Sequence, residues 1–216
     1  MRVNTLQVAK TAAIGFMGIL VLHHFINPDI NPGWQPISMY ALGKLGWLMN
    51  MGFILCGVSF SALGVFVYRH IKTPGGRIGR IFMGIAAIGN FLAGIFNADP
   101  MDTLPEQMTG SGSIHAGAAG LLGFFILATL FICVQFLKQQ HLRPFKMGVV
   151  ITTAVVLIAE IIMMVIMGIY LSGTDGILTP ETPVGGIGRV VILACLVWVL
   201  VTVAALEKAR LRTNFN

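Results

Sequence analysis

The sequence predicts an all-α fold: a polytopic membrane helix bundle with six transmembrane helices and both termini in the cytoplasm. Three observations support this prediction. The chain has six apolar stretches of bilayer-spanning length, it has too few charged residues to cover a soluble surface, and its Lys and Arg residues collect in the loops of one side.

The six apolar stretches define the predicted spans. A helix rises 1.5 Å per residue, so about 20 residues cross a hydrocarbon layer of ~30 Å. The connections between the stretches are too short to form a separate domain, and residues 1–216 are therefore predicted to be a single six-helix domain. The predicted spans are residues 8–25, 47–67, 81–96, 114–136, 147–170 and 189–206.

The composition excludes two broad classes of protein. Of the 216 residues, 56% are hydrophobic and 10% are charged, so a soluble surface cannot be covered and lipid must act as solvent. The net charge of +6 does not indicate nucleic-acid binding, because the basic residues form no stripe with interleaved aromatic residues. The expected partners are membrane lipids, and a membrane-protein partner or a second copy of the chain is compatible with the small residues in HAGAAGLLG.

The distribution of basic residues predicts the orientation. If the N-terminus is cytoplasmic, every Lys and Arg except Lys44 and Arg189 lies on the cytoplasmic side, as the positive-inside rule requires. This places the chain in the cell inner membrane as a multi-pass protein with both termini in the cytoplasm. No small-x-small cleavage site follows the first span, which is therefore expected to be a retained helix.

Polar residues gather at one predicted depth, on the outer rim. His23 and His24 end the first span, Asp99 follows the third and His115 begins the fourth. Imidazoles and a carboxylate at one depth are typical of a metal site, with His23, His24, His115 and Asp99 as ligands. A proton-handling or lipid-headgroup site fits as well, and so do interfacial imidazoles that hydrogen-bond loop backbone. Ser38, Tyr40 and Arg189 are expected at the same depth.

Arg189 departs from the charge rule because it begins a span from the outer side. We expect it to form a structural ion pair with Asp99, Asp102 or Asp175, or to bind a lipid phosphate.

Glu160 is predicted near the bilayer midplane. It lies ten residues before Tyr170, about 15 Å below the outer end of its helix. An ionised carboxylate is costly there, so Glu160 should be neutral or paired within the bundle. Asn90 has a similar predicted depth and is the expected partner. The pair either fixes packing or acts in proton relay or ligand recognition.

The same histidines also fit one bis-His haem site. His23 or His24 together with His115 supplies one bis-His pair near the outer face, and no second pair exists to carry electrons across the membrane. The sequence has no Walker loop, dinucleotide fingerprint, GxSxG elbow or HExxH motif, which argues against nucleotide-driven and common hydrolytic mechanisms.

Three tracts, QPISMYALGKLGWLMN, GNFLAGIFNADP and GSIHAGAAG, resemble in order and spacing a prokaryotic six-span membrane family catalogued as a domain of unknown function (DUF998-like). The resemblance covers nearly the whole chain, except that Met39 stands where the family pattern has an acidic residue. The chain is more faintly similar to six-span proteins of the Frag1, DRAM and Sfk1 type, which implies by analogy a lipid-related role. The motif residues are Ser38, Tyr40, Gly43, Gly46, Trp47, Asp99, Pro100 and His115.

Three functional hypotheses remain open. In the first, an outer-facing polar pocket binds or modifies a lipid or another amphiphile, with His115, Asp99 and Ser38 as catalytic candidates. Ligand-binding candidates are Tyr40, Arg189, Glu160 and Asn90. In the second, the protein is a non-enzymatic scaffold or accessory subunit of a membrane complex. In the third, it is a single-haem or proton-linked redox protein. The sequence does not decide whether the protein is an enzyme, and a metal ion and a haem are both compatible cofactors.

Overall fold

The computed structural model of the protein describes residues 4–172 and 179–213. All regular elements in these ranges are helical. Six helical segments are long and apolar enough to cross a membrane, with α4 and α5 together forming the fourth. The helices are α1 (Thr5–Ile26), α2 (Gly46–His70), α3 (Pro74–Ile95), α4 (Gly110–Gly120), α5 (Gly123–Lys138), α6 (Lys146–Ser172) and α7 (Val184–Thr213).

The helices extend beyond the predicted spans. Helix α3 begins at Pro74, seven positions before the predicted start, because Thr73 caps it by accepting a hydrogen bond from the Gly76 amide at 3.1 Å. Pro74 suits the first turn of a helix. Charged residues such as Arg77 mark the end of the apolar segment but do not end the helix, so hydropathy alone underestimates its length.

The helices form a closed ring in chain order. Each spanning helix packs against its neighbours in sequence, and α7 returns to pack against α1. We call the end where α1 begins and α7 ends, with the connections at residues 71–73 and 139–145, the basic face. The opposite end, with the connections at residues 27–45, 96–109 and 179–183, is the loop face.

The fourth span is broken near its middle. Helix α4 ends at Gly120, and hydrogen bonds between residues three apart carry the chain through Leu121 and Leu122 into α5. The preceding HAGAAG segment is rich in Gly, which favours such a break. Helix α5 packs on both α3 and α6, whereas α4 packs mainly on α3. The ring therefore opens between α4 and α6 at the loop face.

Aromatic side chains fill the interior of the bundle toward its middle, away from the loop face. Phe60 and Phe125 are fully buried and stack with ring centroids 3.9 Å apart. Trp198 contacts Phe125 edge to face and donates a hydrogen bond to Thr153 at 2.8 Å. The aromatic core thus lies toward the middle of the bundle. The half of the bundle next to the loop face, which we call the loop half, contains space that side chains do not fill.

Candidate functional site

A pocket of about 170 Å³ lies in the loop half of the bundle. Its walls come from α2, α3, α4, α6, α7 and the segment that leads into the short 3₁₀ helix Ile37–Leu42. Most of the lining is apolar, including Phe53, Leu122, Met163 and Ile192. The polar side chains of the lining are Ser38, Asn90 and His115.

His115 has one ring nitrogen, Nε2, that no protein group in the described residues hydrogen-bonds. Its Nδ1 lies 2.7 Å from the carbonyl oxygen of Phe96, so Nδ1 carries the proton in the neutral ring and donates it to that carbonyl. The same arrangement leaves Nε2 with a lone pair. The ring also contacts Phe53 edge to face at a centroid distance of 5.9 Å. His115 can therefore accept a hydrogen bond or a proton from a group in the pocket.

Asp99 holds the beginning of α4. Its two carboxylate oxygens accept hydrogen bonds from the backbone amide and the hydroxyl of Thr109, at 2.8 and 2.7 Å. Thr109 in turn caps α4 by accepting from the Gly112 amide at 3.0 Å. Asp99 thus acts on His115 through the helix that carries it, while Phe96 supplies the direct partner of the imidazole.

Ser38 enters the pocket from the 3₁₀ helix. Pro36 precedes this helix in an extended conformation and the Met39 amide bonds back to the Pro36 carbonyl, which fixes the local turn. Within the described residues no protein group hydrogen-bonds the Ser38 hydroxyl. Ser38 and His115 are therefore both available to hydrogen-bond a ligand in the pocket.

Arg189 on α7 donates hydrogen bonds to uncharged acceptors of the loop face and so connects the loop face to this helix. Its Nη1 donates to the carbonyl oxygens of Pro32, Gln35 and Gly185 at 3.0, 2.7 and 3.0 Å, and its Nη2 donates to the Tyr40 hydroxyl at 3.0 Å. Its Nε donates to His24 Nε2 at 3.2 Å. We call Arg189, Tyr40 and His24 the Arg189 cluster.

The expected ion pair of Arg189 is not formed with the acidic residues in the described ranges. Neither Asp99 nor Asp102 is among its hydrogen-bond partners, and Asp175 lies outside the described residues. Backbone carbonyls replace a carboxylate because the loop segment 32–35 lies directly over the first turn of α7. Gly186 donates its amide to the Gly33 carbonyl at 2.7 Å, and the absence of a side chain at Gly185 allows the approach.

The two adjacent histidines have different surroundings. His24 Nδ1 lies 2.7 Å from the Leu20 carbonyl and its Nε2 accepts from Arg189, so the protein engages both ring nitrogens. His23 is fully buried and stacks on Tyr40 at 5.2 Å. Its Nδ1 accepts from the Asn27 amide at 2.9 Å, which leaves the proton on Nε2, a buried atom without a protein partner in the described residues.

Asn27 was not singled out from the sequence, although it links α1 to the start of α2. Its side chain accepts from the Lys44 amide at 2.6 Å and donates to the Lys44 carbonyl at 3.0 Å. An Asn directly after a helix is a common end signal. That signal does not reveal a partner 17 residues away.

The predicted rim residues thus divide into separate groups. His115, Ser38 and Asn90 line the pocket, His24, Tyr40 and Arg189 form the Arg189 cluster, and Asp99 caps α4. Within residues 4–172 and 179–213 no three His, Cys, Asp or Glu side chains are arranged to hold one metal ion. The four proposed metal ligands are accordingly not brought together.

Glu160 and Asn90 are not hydrogen-bonded to each other. Asn90 donates its side-chain amide to the Ala86 carbonyl of its own helix at 3.0 Å. Glu160 is half-buried on α6, one turn before Met163 of the pocket wall. Their similar predicted depth did not determine which way each side chain faces.

Taken together, six membrane-spanning helices, an open loop half and a mostly apolar pocket define an integral membrane protein of the multi-pass class. Residues 11–205 match the family model described as a protein of unknown function, DUF998. The match covers most of the chain, and the protein belongs to this family. No curated protein and no solved structure matches the chain significantly.

Proposed function

We propose that the protein binds a lipid or another amphiphile in the loop-half pocket, with the apolar part against Phe53, Leu122 and Ile192 and the polar end at His115 and Ser38. The observation that carries this proposal is the position of the pocket beside the opening between α4 and α6. A mostly apolar wall with a few convergent polar groups is typical of small-molecule sites. A ligand dissolved in the bilayer can enter such a site without passing through water.

The size of the pocket limits the part of the ligand that it holds. A cavity of about 170 Å³ is close to the ~150 Å³ that accommodates benzene in a protein core. It therefore takes a ring or a short chain segment, and the rest of the amphiphile extends through the opening into lipid. The lone pair on His115 Nε2 accepts a hydrogen bond from a hydroxyl or an ammonium group of the ligand.

If the protein modifies this ligand, His115 acts as the general base. Its Nε2 takes a proton from a ligand hydroxyl or from water, while the Nδ1 proton remains bonded to the Phe96 carbonyl and orients the ring. Ser38 then orients the ligand through its free hydroxyl. Asp99 and Arg189 serve this site indirectly, by positioning α4 and the 36–38 segment.

The test compares two substitutions on the same helix. Ala119 lines the pocket and Ala116 does not, and both are exposed small residues of α4. We expect the purified wild-type protein to retain a lipid in native mass spectrometry, Ala119→Phe to lose it and Ala116→Phe to keep it. Retention of the same lipid by Ala119→Phe would exclude the pocket as the binding site.

A second experiment separates binding from modification. Wild-type protein and His115→Gln are incubated with total membrane lipid, and the lipids are compared by mass spectrometry. A change of lipid mass that requires His115, with lipid retention preserved in the variant, supports an enzyme. Retention by wild type without any mass change supports a binding protein.

The scaffold hypothesis is supported by a different face of α4. A side chain added at Gly117 or Gly120 would meet no atom within 4 Å, so this face is open to a helix of a partner or of a second copy. The same two substitutions discriminate between the hypotheses. Loss of a complex or a dimer with Ala116→Phe but not with Ala119→Phe favours the scaffold.

We propose further that the protein resides in the cell inner membrane with the basic face in the cytoplasm. Most of the Lys and Arg residues lie in the connections at residues 71–73 and 139–145, in the helix ends that flank them, or near the two ends of the sequence, as the positive-inside rule requires. Labelling of single cysteines introduced at Gln140 and Asp102 in intact cells tests the orientation. Labelling of Asp102→Cys but not Gln140→Cys by an impermeant reagent is expected, and the reverse pattern would invert the topology.

A further inference from the structure

A second concave surface lies in the basic half of the bundle, on the outside of the ring between α2 and α3. It is a groove of about 260 Å³. Tyr68 and Arg80 line its rim, and Phe60, Ser61 and Gly64 line the part that runs toward the bilayer centre, with Val65 and Gly84 beside them. Tyr68 and Val65 are exposed, so the groove faces lipid rather than the bundle interior.

The rim of the groove concentrates positive charge on one aromatic ring. The Lys72 ammonium lies 4.4 Å from the centroid of the Tyr68 ring, and the Arg80 guanidinium carbon lies 4.3 Å from it. Each cation is attracted to the ring, but the two like charges repel each other. Lys72 also donates to the Tyr68 carbonyl at 2.7 Å.

The protein provides no counter-charge for this pair. In the described parts of the chain neither Lys72 nor Arg80 contacts a carboxylate. Arg80 Nε is buried and has no hydrogen-bond partner there. An unpaired buried donor on a charged group is costly, and an anion at the rim would satisfy both this donor and the two charges.

Below the rim the groove is narrow, apolar and made of small residues. A Cβ atom added at Gly84 would meet no atom within 4 Å, and one added at Gly64 would lie at ordinary contact distance from Met83. Phe60 precedes Tyr68 by eight residues on α2, about 12 Å toward the bilayer centre at 1.5 Å per residue. The charged rim thus continues into an apolar groove that runs toward the bilayer centre.

We infer that this groove binds an acidic phospholipid of the basic-face leaflet, with its phosphate at Lys72 and Arg80 and one acyl chain along Gly64 and Gly84. Basic pockets between transmembrane helices are known to take such headgroups. This site is separate from the loop-half pocket and does not depend on the function proposed for it. The continuous apolar floor distinguishes a lipid from free phosphate, which needs the rim alone.

The test titrates phosphatidylglycerol and phosphatidylcholine into the full-length protein in detergent and counts bound lipid by native mass spectrometry. We expect wild type to prefer phosphatidylglycerol, and Arg80→Ala to weaken its binding about fivefold. Gly84→Leu, which fills the groove and keeps both charges, should weaken it as well. Arg77→Ala removes the same charge from an exposed position of α3 outside the groove and should leave binding unchanged.

Three outcomes would overturn the assignment. Equal losses in Arg77→Ala and Arg80→Ala would mean that general surface charge attracts the lipid. Unchanged binding in Gly84→Leu would remove the acyl-chain groove, and this variant carries the test if Arg80→Ala does not fold. Binding of inorganic phosphate alone as tightly as phosphatidylglycerol would identify a phosphate site instead of a lipid site.

Discussion

The Arg189 guanidinium on α7 donates to the hydroxyl of Tyr40, 149 residues earlier in the chain, at 3.0 Å. Both side chains are buried, and the Arg189 charge also lies 5.2 Å from the centre of the Tyr40 ring. This contact joins the last helix to the 3₁₀ helix that contains Ser38.

Replacement of Arg189 should destabilise the protein strongly. Arg189→Met keeps the length of the side chain but leaves the loop carbonyls of Pro32 and Gln35 without a donor, and each buried unsatisfied group costs about 1–3 kcal/mol. Arg189→Lys cannot reach all the acceptors and should give a smaller loss. Thermal unfolding in detergent measures both. Tyr40→Phe removes a single hydrogen bond and should cost only about 1 kcal/mol, so a larger loss than in Arg189→Met would contradict this assignment.

Asn27 should contribute to stability out of proportion to its size. Asn27→Ala leaves the Lys44 amide and carbonyl and His23 Nδ1 without their side-chain partner, and we expect a loss of about 2 kcal/mol or more. Asn27→Asp keeps an acceptor for the Lys44 amide but brings a carboxylate to the Lys44 carbonyl, so it should not rescue the protein. The free energy of unfolding is the readout, and Gln140→Ala at an exposed position of the connection at residues 139–145 is the control.

Removal of the Asp99 carboxylate should loosen α4. Asp99→Ala removes both acceptors of Thr109 and should cost about 1 kcal/mol, the usual value of a helix cap. Hydrogen exchange of the α4 amides, compared with those of α5, measures the effect locally. Equal protection of α4 in wild type and variant would show that Thr109 caps the helix unaided. Thr109→Ala should reproduce the effect of Asp99→Ala.

Glycines on facing helices should respond in opposite directions. A Cβ on Gly89 of α3 would lie 2.6 Å from the Ala118 carbonyl oxygen, so Gly89→Ala must push α4 away from α3 and destabilise the bundle by about 1–3 kcal/mol. Gly117→Ala meets open space and should be neutral or stabilising by up to about 1 kcal/mol through helix propensity. A destabilised Gly117→Ala monomer would contradict the open face that the scaffold hypothesis uses.

Hydropathy predicted six spans correctly because lipid acts on each helix separately. The depth of polar residues also predicted that His115 and Ser38 lie at one level, since depth follows from position along a helix. Position along a helix does not give the direction of a side chain around the helix axis. The predicted pair of Glu160 and Asn90 is not formed for this reason: the two side chains do not face each other. The acceptors of Arg189 were equally inaccessible, because backbone carbonyls of Pro32 and Gln35 carry no sequence signature.

The closure of the ring by its last helix has a consequence for biogenesis. Helices leave the ribosome in chain order, so each helix after the first can pack on one already made. The carbonyls of Pro32 and Gln35, in contrast, have no Arg189 donor until α7 has been made. A chain that stops short of α7 exposes these groups and the apolar edge of α1. Such a fragment offers quality-control proteases a signal that the complete protein hides.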